Sequence, residues 1–142
     1  CDLRTSHEKA VKDPFEFKLH YVMPHYHSLG SSFRLQHFGG PADGEEIFAI
    51  DNRYAEPLGH TFEQPVDLSA GTGLSFTCGY DNPRAEKVGF GIGDQEMCVM
   101  LGFAESKMIF DGAITENTDV QTGQDGVVRN MGPCKVIGIQ RN

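Results

Sequence analysis

Residues 15–21, FEFKLHY, alternate apolar and polar side chains one by one, and this run decides the fold class of the chain. Apolar residues at every second position are typical of a β-strand that buries one face. On this phase His20 lies on the polar side. The residues expected to face the core are Phe15, Phe17, Leu19 and Tyr21. Pro24 cannot donate a ladder hydrogen bond, so we expect the strand to end, or to lie at a sheet edge, near that residue.

The same kind of pattern recurs along the chain and predicts further strands. Residues 33–38 and 45–51 form a predicted hairpin around the turn sequence GGPADG at 39–44. Other short apolar runs lie at 74–80, 87–90, 97–103, 107–110 and 135–139. Because no segment carries a sustained helical period, we predict an all-β sandwich or barrel. Its single domain is expected to span 14–142, after a loose polar N-terminal arm at 1–13.

Composition and charge limit the functional classes. The chain has 142 residues and a net charge of −8, whereas non-specific binding to nucleic acid requires an excess of Lys and Arg. No apolar stretch approaches the roughly 20 residues that a membrane-spanning helix needs. Because of the negative net charge, we expect no nucleic-acid partner.

Four cysteines, Cys1, Cys78, Cys98 and Cys134, are widely spaced and include no Cys-x-x-Cys pair. An even number with wide spacing suits disulfides in an oxidising compartment, so we expect a periplasmic, secreted or outer-surface location. Four buried thiols in a cytosolic protein are the alternative. Cys1 marks either a cut in a longer chain or the acylated first residue of a mature bacterial lipoprotein, which would tether the protein to a membrane.

The sequence HYH at residues 25–27 is the best candidate for chemistry. On an extended backbone, residues i and i+2 point to the same side, so His25 and His27 can offer two imidazoles to one ion. The motif also arises by chance, and an exposed pair alone binds metals weakly. Met97, within DQEMC at 94–98, is by itself typical of a core residue.

Taken together, these segments resemble the C-terminal catalytic domain of the copper type II, ascorbate-dependent monooxygenases, the family of peptidylglycine α-hydroxylating monooxygenase and dopamine β-hydroxylase. The matching segments, in order, are HYHSLG at 25–30, FRL at 33–35, QPVDL at 64–68, Cys78, and DQEMC at 94–98. The last segment has one residue more than the family's Asp-Glu-Met-Cys. The resemblance covers residues 14–105.

The resemblance implies a jelly-roll-like antiparallel β-sandwich with a mononuclear copper site. The implied copper ligands are His25, His27 and Met97. Two imidazoles suit both Cu(I) and Cu(II) and a thioether favours Cu(I), so we expect one copper per chain, with a position left open for O2. The resemblance also implies a disulfide between Cys78 and Cys98, beside the methionine. Cys1 and Cys134 are expected to form a second bridge unless Cys1 is acylated.

Three positions depart from the family pattern. Met23 stands where the peptide-hydroxylating enzyme has an Arg, and Val99 and Leu101 stand where it has the Asn and Tyr that hold the substrate. The family enzymes also have a second copper domain, for which 142 residues leave no room. We therefore expect copper binding or handling, together with a reductant or a partner copper protein. The alternative is a copper-dependent monooxygenase, or a fragment of one, that hydroxylates a small organic substrate with O2 and an external reductant. Whether the chain is an enzyme stays open.

The remaining histidines have simpler interpretations. His20 and His37 are expected at exposed or partly exposed strand positions, His60 in a loop and His7 in the N-terminal arm. The first three are weaker candidates for a fourth ligand. A cupin-like metal enzyme is disfavoured because no Glu follows the histidine pair within 28–32. A zinc site is disfavoured because methionine is a poor zinc ligand.

Overall fold

The computed structural model describes residues 1–51 and 59–141 of the chain. Its helix and strands, in chain order, are α1 (Leu3–Ala10), β1 (Lys18–His25), β2 (Gly30–Phe38), β3 (Glu46–Ile50), β4 (His60–Asp67), β5 (Gly73–Tyr80), β6 (Val99–Glu105), β7 (Met108–Ile114), β8 (Asp119–Thr122), β9 (Val128–Met131) and β10 (Cys134–Gln140). All pairings between these strands are antiparallel. The prediction of an all-β fold is confirmed.

Two three-stranded sheets enclose the core. One has the strand order β4–β1–β6 and the other the order β3–β2–β5, while β7–β10 and β8–β9 form two-stranded sheets. Leu19 and Val22 of β1 and Phe33 and Leu35 of β2 belong to one cluster and are almost completely buried. Because both sheets contribute to this cluster, their inner faces pack across a common core, as in a β-sandwich.

Most of the predicted strands are present, with shifted ends. The hairpin pairs β2 with β3 from Phe33 opposite Ile50 to Gln36 opposite Glu46. The runs at 74–80, 97–103, 107–110 and 135–139 overlap β5, β6, β7 and β10. The strand predicted over 87–90 is wrong, because Phe90 makes only an isolated bridge and its side chain is 77% exposed. This run therefore lacks the burial that stabilises a strand.

A β-bulge in β1 reverses the side on which its side chains lie. The ladder with β6 sets Leu19 opposite Ala104 and then Tyr21 opposite Phe103, so His20 is an extra residue on β1. The buried positions before the bulge are Phe15, Phe17 and Leu19, and those after it are Val22, Pro24 and Tyr26. The prediction that Tyr21 faces the core is wrong, because one extra residue exchanges the two faces of a strand. β1 ends one residue after Pro24, close to where the proline predicted it.

The N-terminal segment is not the loose arm expected from its polar composition. It forms α1, whose first turn is capped by the carboxylate of Asp2, which accepts a hydrogen bond from Thr5 N at 2.8 Å. The helix packs through Leu3 and His7, both of which are buried. The expectation that His7 is mobile is wrong. A helix of 8 residues with so few apolar side chains is too short for a helical period to be recognised in the sequence.

A disulfide between Cys1 and Cys134 joins the start of the chain to β10. A thiol in a disulfide cannot also carry a thioether-linked lipid, so the bridge and the acylated form of Cys1 exclude each other. The described part of the chain contains no helix with the length and hydrophobicity that crossing a bilayer requires.

Candidate metal centre

His25 and His27 lie at the end of β1 and in the turn after it, on the sheet face that points away from the core. The bulge places them there, because Pro24 and Tyr26 occupy the buried positions of this segment. Both histidines are half-buried. Their ring centroids are 5.2 Å apart and their ring planes are inclined at 84°. Two imidazoles therefore stand side by side at one point of the surface.

Met97 enters the same region from the segment before β6. The ladder between β1 and β6 ends with His25 opposite Val99. Beyond this pair the two segments stay in contact through Glu96, the residue before Met97, whose carboxylate accepts a hydrogen bond from His27 N. Met97 is half-buried, like the two histidines. The thioether and the imidazoles thus come from two segments that meet edge to edge.

A hydrogen bond defines the state of the His27 ring. Its Nδ1 lies 2.7 Å from the main-chain oxygen of Gln95. A carbonyl oxygen can only accept, so Nδ1 carries the proton and donates it. In the neutral ring the lone pair is then on Nε2, which is the atom left to bind a metal. Metal-binding histidines commonly use one ring nitrogen in this way, because the bond to a carbonyl fixes both tautomer and orientation.

Glu96 holds the main chain around His27. Its side chain is buried, with 8% exposed, and its two oxygens accept hydrogen bonds from His27 N at 2.7 Å and from Leu29 N at 2.8 Å. The sequence did not reveal this role. A glutamate is rarely buried, and the only signal was its position directly before Met97 in the chain.

Two further contacts hold the backbone of Met97 from the other side. The disulfide Cys78–Cys98 ties the next residue to β5, and it is the pair implied by the family resemblance. The Tyr80 hydroxyl donates a hydrogen bond of 2.7 Å to the main-chain oxygen of Met97. Burial of this hydroxyl, with the charge of Glu96 nearby, raises the pKa of Tyr80 above its ordinary value. The hydroxyl therefore stays protonated, and remains a donor, throughout the physiological range.

The other histidines lie in different surroundings. His20 is 3.6 Å from Glu105, and His60 lies against the rings of Phe48 and Phe62. Within 1–51 and 59–141, no group of three or more His, Cys, Asp or Glu side chains is placed to hold a metal ion. A site of two imidazoles and one thioether contains only two residues of these types. No third side chain of these types therefore joins His25 and His27 among the described residues.

The outward face beside the histidines is apolar. Met23 lies opposite Leu101, and Tyr21 opposite Phe103, along the β1–β6 ladder. Leu101 and Phe103 are more than half exposed. Two of the three positions that depart from the family pattern thus form part of an exposed apolar strip next to the histidine pair. The strip offers contact area but no charge for anchoring a carboxylate.

Two cavities lie next to the histidine turn and the segment at 94–98. One, of about 410 Å3, is lined by Arg84, Glu86, Lys87, Val88, Asp94 and Gln95. The other, of about 170 Å3, is lined by Ser28, Leu29, Gly30, Ser31, Asp81 and Pro83. Gln95 is the residue whose carbonyl holds the His27 ring. The larger cavity therefore adjoins the segment that positions this imidazole.

No protein-family model, curated protein or solved structure is significantly similar to this chain. The resemblance to the copper monooxygenases consequently rests on the short motifs and on their order. What the site can bind is therefore inferred from the donor atoms of its own residues.

Proposed function

We propose that this chain is a copper-binding protein with one mononuclear site on the outward face of the β4–β1–β6 sheet. The ligands would be His25, His27 and Met97. The observation that carries the proposal is the bond from His27 Nδ1 to the Gln95 carbonyl. It leaves Nε2 free for a metal, and its acceptor, Gln95 O, lies two residues before Met97 in the chain.

The donor set favours copper over other metals. Imidazole nitrogens bind both oxidation states of copper, and a thioether adds preference for Cu(I). Zinc sites need three or more nitrogen, sulfur or carboxylate ligands, and a thioether is a poor one. Three ligands from the protein would leave one position open on a copper ion for exchange with a partner or with O2.

Copper handling outside the cytoplasm fits the remaining features best. Two disulfides are typical of proteins in oxidising compartments. The net charge of −8 attracts cations over a distance. A half-buried site at the surface, beside the apolar strip of Leu101 and Phe103, is open to a second protein that delivers or accepts the ion. A carrier, chaperone or sensor needs no more than this.

A copper-dependent monooxygenase is the second candidate, because two imidazoles with ring centroids 5.2 Å apart at the surface would leave a position on a bound copper ion open for O2. Copper bound at this site would supply one electron per redox cycle, whereas hydroxylation by O2 needs two. The enzyme would therefore depend on an external reductant or on a partner copper protein. The apolar residues Met23, Val99 and Leu101 give a peptide carboxylate no anchor, so we do not expect glycine-extended peptides as substrates.

Metal titration tests the first proposal. We expect wild-type protein to bind one copper per chain, and the double variant His25→Ala/His27→Ala to lose the site. Met97→Ala should weaken Cu(I) binding and leave Cu(II) binding nearly unchanged. His37→Ala is the matched control, because this histidine lies on β2 of the opposite sheet. Unchanged stoichiometry and affinity in the double variant would refute the assignment.

A turnover assay separates the two candidates. Copper-loaded protein is mixed with ascorbate, O2 and a panel of peptides and phenethylamines, and the products are read by mass spectrometry. We expect no hydroxylated product at a useful rate. Product formed in proportion to the O2 consumed, and lost in Met97→Ala, would favour the monooxygenase. Oxidation of ascorbate alone would not, because any exposed copper ion catalyses it.

A further inference from the structure

The two halves of the proposed site come from segments far apart in the sequence. His27 and Glu96 are 69 residues apart; the two imidazoles belong to the first segment, and Met97 belongs to the second. A three-ligand site binds its ion more tightly when both halves are held at the right separation before the ion arrives. The β1–β6 ladder ends at His25 and Val99, and beyond it the histidine turn is joined to the methionine segment by the His27–Gln95 bond and by two hydrogen bonds to the Glu96 carboxylate.

We propose that Glu96 is a positioning residue that couples the imidazole half of the site to the thioether half. The inference rests on the proposed copper site. One carboxylate oxygen accepts from His27 N and the other from Leu29 N. The turn is also closed by a bond of 2.9 Å from Gly30 N to His27 O. The Glu96 side chain thus binds the turn through two hydrogen bonds. The next residue in the chain is Met97, so Glu96 links the turn to the residue that carries the thioether.

Because the Glu96 carboxylate is buried, it depends on these two amide donors. The ion pairs of the described residues do not include Glu96, so the two amide groups are what stabilises its buried charge. Hydrogen bonds to an ionised acceptor are stronger than neutral ones. If the turn moved away, a carboxylate with 8% exposure would lose its donors. The turn and the carboxylate therefore hold each other in place.

The main chain of Glu96 is anchored as well. Glu96 N donates to Gly89 O, and Gly91 N donates to Glu96 O, both at 3.0 Å. Its backbone is therefore fixed by the preceding loop, and its side chain is fixed by the histidine turn. A movement of the turn would be passed directly to the residue that carries the thioether.

The expected effect is on the contribution of Met97. Replacing the carboxylate by an amide, Glu96→Gln, keeps the shape but leaves one amide donor facing an NH2 group. Changes to residues that orient metal ligands commonly cost about 10–100-fold in affinity. We expect a loss of this size for Cu(I), and a smaller loss for Cu(II), which is held mainly by the imidazoles. On a Met97→Ala background, Glu96→Gln should have little further effect on Cu(I).

The experiment compares wild type, Glu96→Gln, Met97→Ala and the double variant by competition titration with Cu(I) and Cu(II). X-ray absorption of the Cu(I) forms reports the copper–sulfur contribution, which should fall in Glu96→Gln. Glu105→Gln is the control, since that carboxylate is exposed at the far end of β6. Glu96→Asp, which keeps the charge and shortens the reach, replaces Glu96→Gln if the latter does not fold. It should also lose copper–sulfur scattering.

A second measurement needs no copper. Hydrogen exchange of the metal-free protein should be faster at the amides of His27 and Leu29 in Glu96→Gln than in Glu105→Gln. If these rates are equal, or if the losses from Glu96→Gln and Met97→Ala simply add, the inference is refuted. If wild-type protein binds no copper through its histidines, the proposed function fails instead, while the exchange rates still decide whether Glu96 holds the turn.

Discussion

Gly30 offers a sharp test of how the core supports the site. This buried glycine begins β2, and its Cα lies against the ring of Tyr26, the residue between the two histidines. A Cβ added at Gly30 would lie 2.5 Å from Tyr26 Cε2, 2.6 Å from Cγ, and closer still to Cδ2. Carbon atoms in contact are about 3.5–4.0 Å apart. In Gly30→Ala the ring would therefore have to shift by about 1 Å or more.

The cost of that shift can be estimated from the packing around Tyr26. The side chain is 3% exposed and belongs to the main core cluster, so it has no free space to move into. Forcing an extra methyl group into a packed core costs about 1–3 kcal/mol. Because Tyr26 is joined on both sides to a histidine, we also expect weaker copper binding in Gly30→Ala. Backbone strain plays no part, since the φ angle of Gly30 is not positive.

Equilibrium denaturation with the disulfides intact measures the loss of unfolding free energy. In Gly91→Ala, the control, the new methyl group would meet the Gln95 side chain at an ordinary 3.4 Å, so we expect little change. On a Tyr26→Leu background, Gly30→Ala should cost less than about 0.5 kcal/mol, because the clashing ring is absent. An equal cost with and without the ring would refute this account.

Three other predictions concern stability. Replacing both Cys1 and Cys134 by serine should lower the unfolding free energy by about 5 kcal/mol in the chain-entropy estimate, since the bridge spans a separation of 133 residues. Denaturation of the variant measures this loss, and peptide mapping of the wild-type protein without reduction should recover the bridged peptides. His7→Leu should raise the unfolding free energy by about 1–3 kcal/mol, because both ring nitrogens are buried without a partner in the described structure; a loss measured by denaturation would contradict it. Hydrogen bonds from the Ser69 hydroxyl and amide lower the pKa of Asp67, so their contribution is present above pH about 4 and is lost as the pH falls below that value. Asp67→Asn should flatten the acid side of the stability profile, and an unchanged profile would count against this cause.

The sequence predicted the parts of the fold that depend on local patterns. Alternation in residues 15–21 indicated a strand with one buried face, and the GGPADG turn indicated the hairpin of β2 and β3. The i, i+2 spacing of His25 and His27 is also local, and the structure brings their rings together. In each case neighbouring residues carry enough information, because period and turn chemistry act over a few positions.

The parts that escaped prediction depend on contacts between distant residues. The bulge at His20 is defined by the pairing of β1 with β6, more than 80 positions further along the chain, and the pairing with β4 is irregular at the same point. The burial of Glu96 depends on amides of the 27–29 turn, and nothing near it in the sequence marks it as buried. α1 is stabilised by packing of Leu3 and His7, because a helix this short is marginal by itself.

A strand normally has to bury its core residues and expose its functional residues with one alternating pattern. The bulge at His20 allows the two halves of β1 to follow different patterns. In a continuous strand, the residues that fill the core fix which positions reach the solvent, so any functional pair must fit the hydrophobic alternation. Here one extra residue resets the count: the segment before it follows the odd-numbered core positions, and the segment after it places His25 and His27 outside. The positions of the two histidines therefore do not depend on the alternation in the first half of the strand. A single insertion or deletion, rather than a series of substitutions, is then enough for such a chain to gain or lose an exposed pair of histidines.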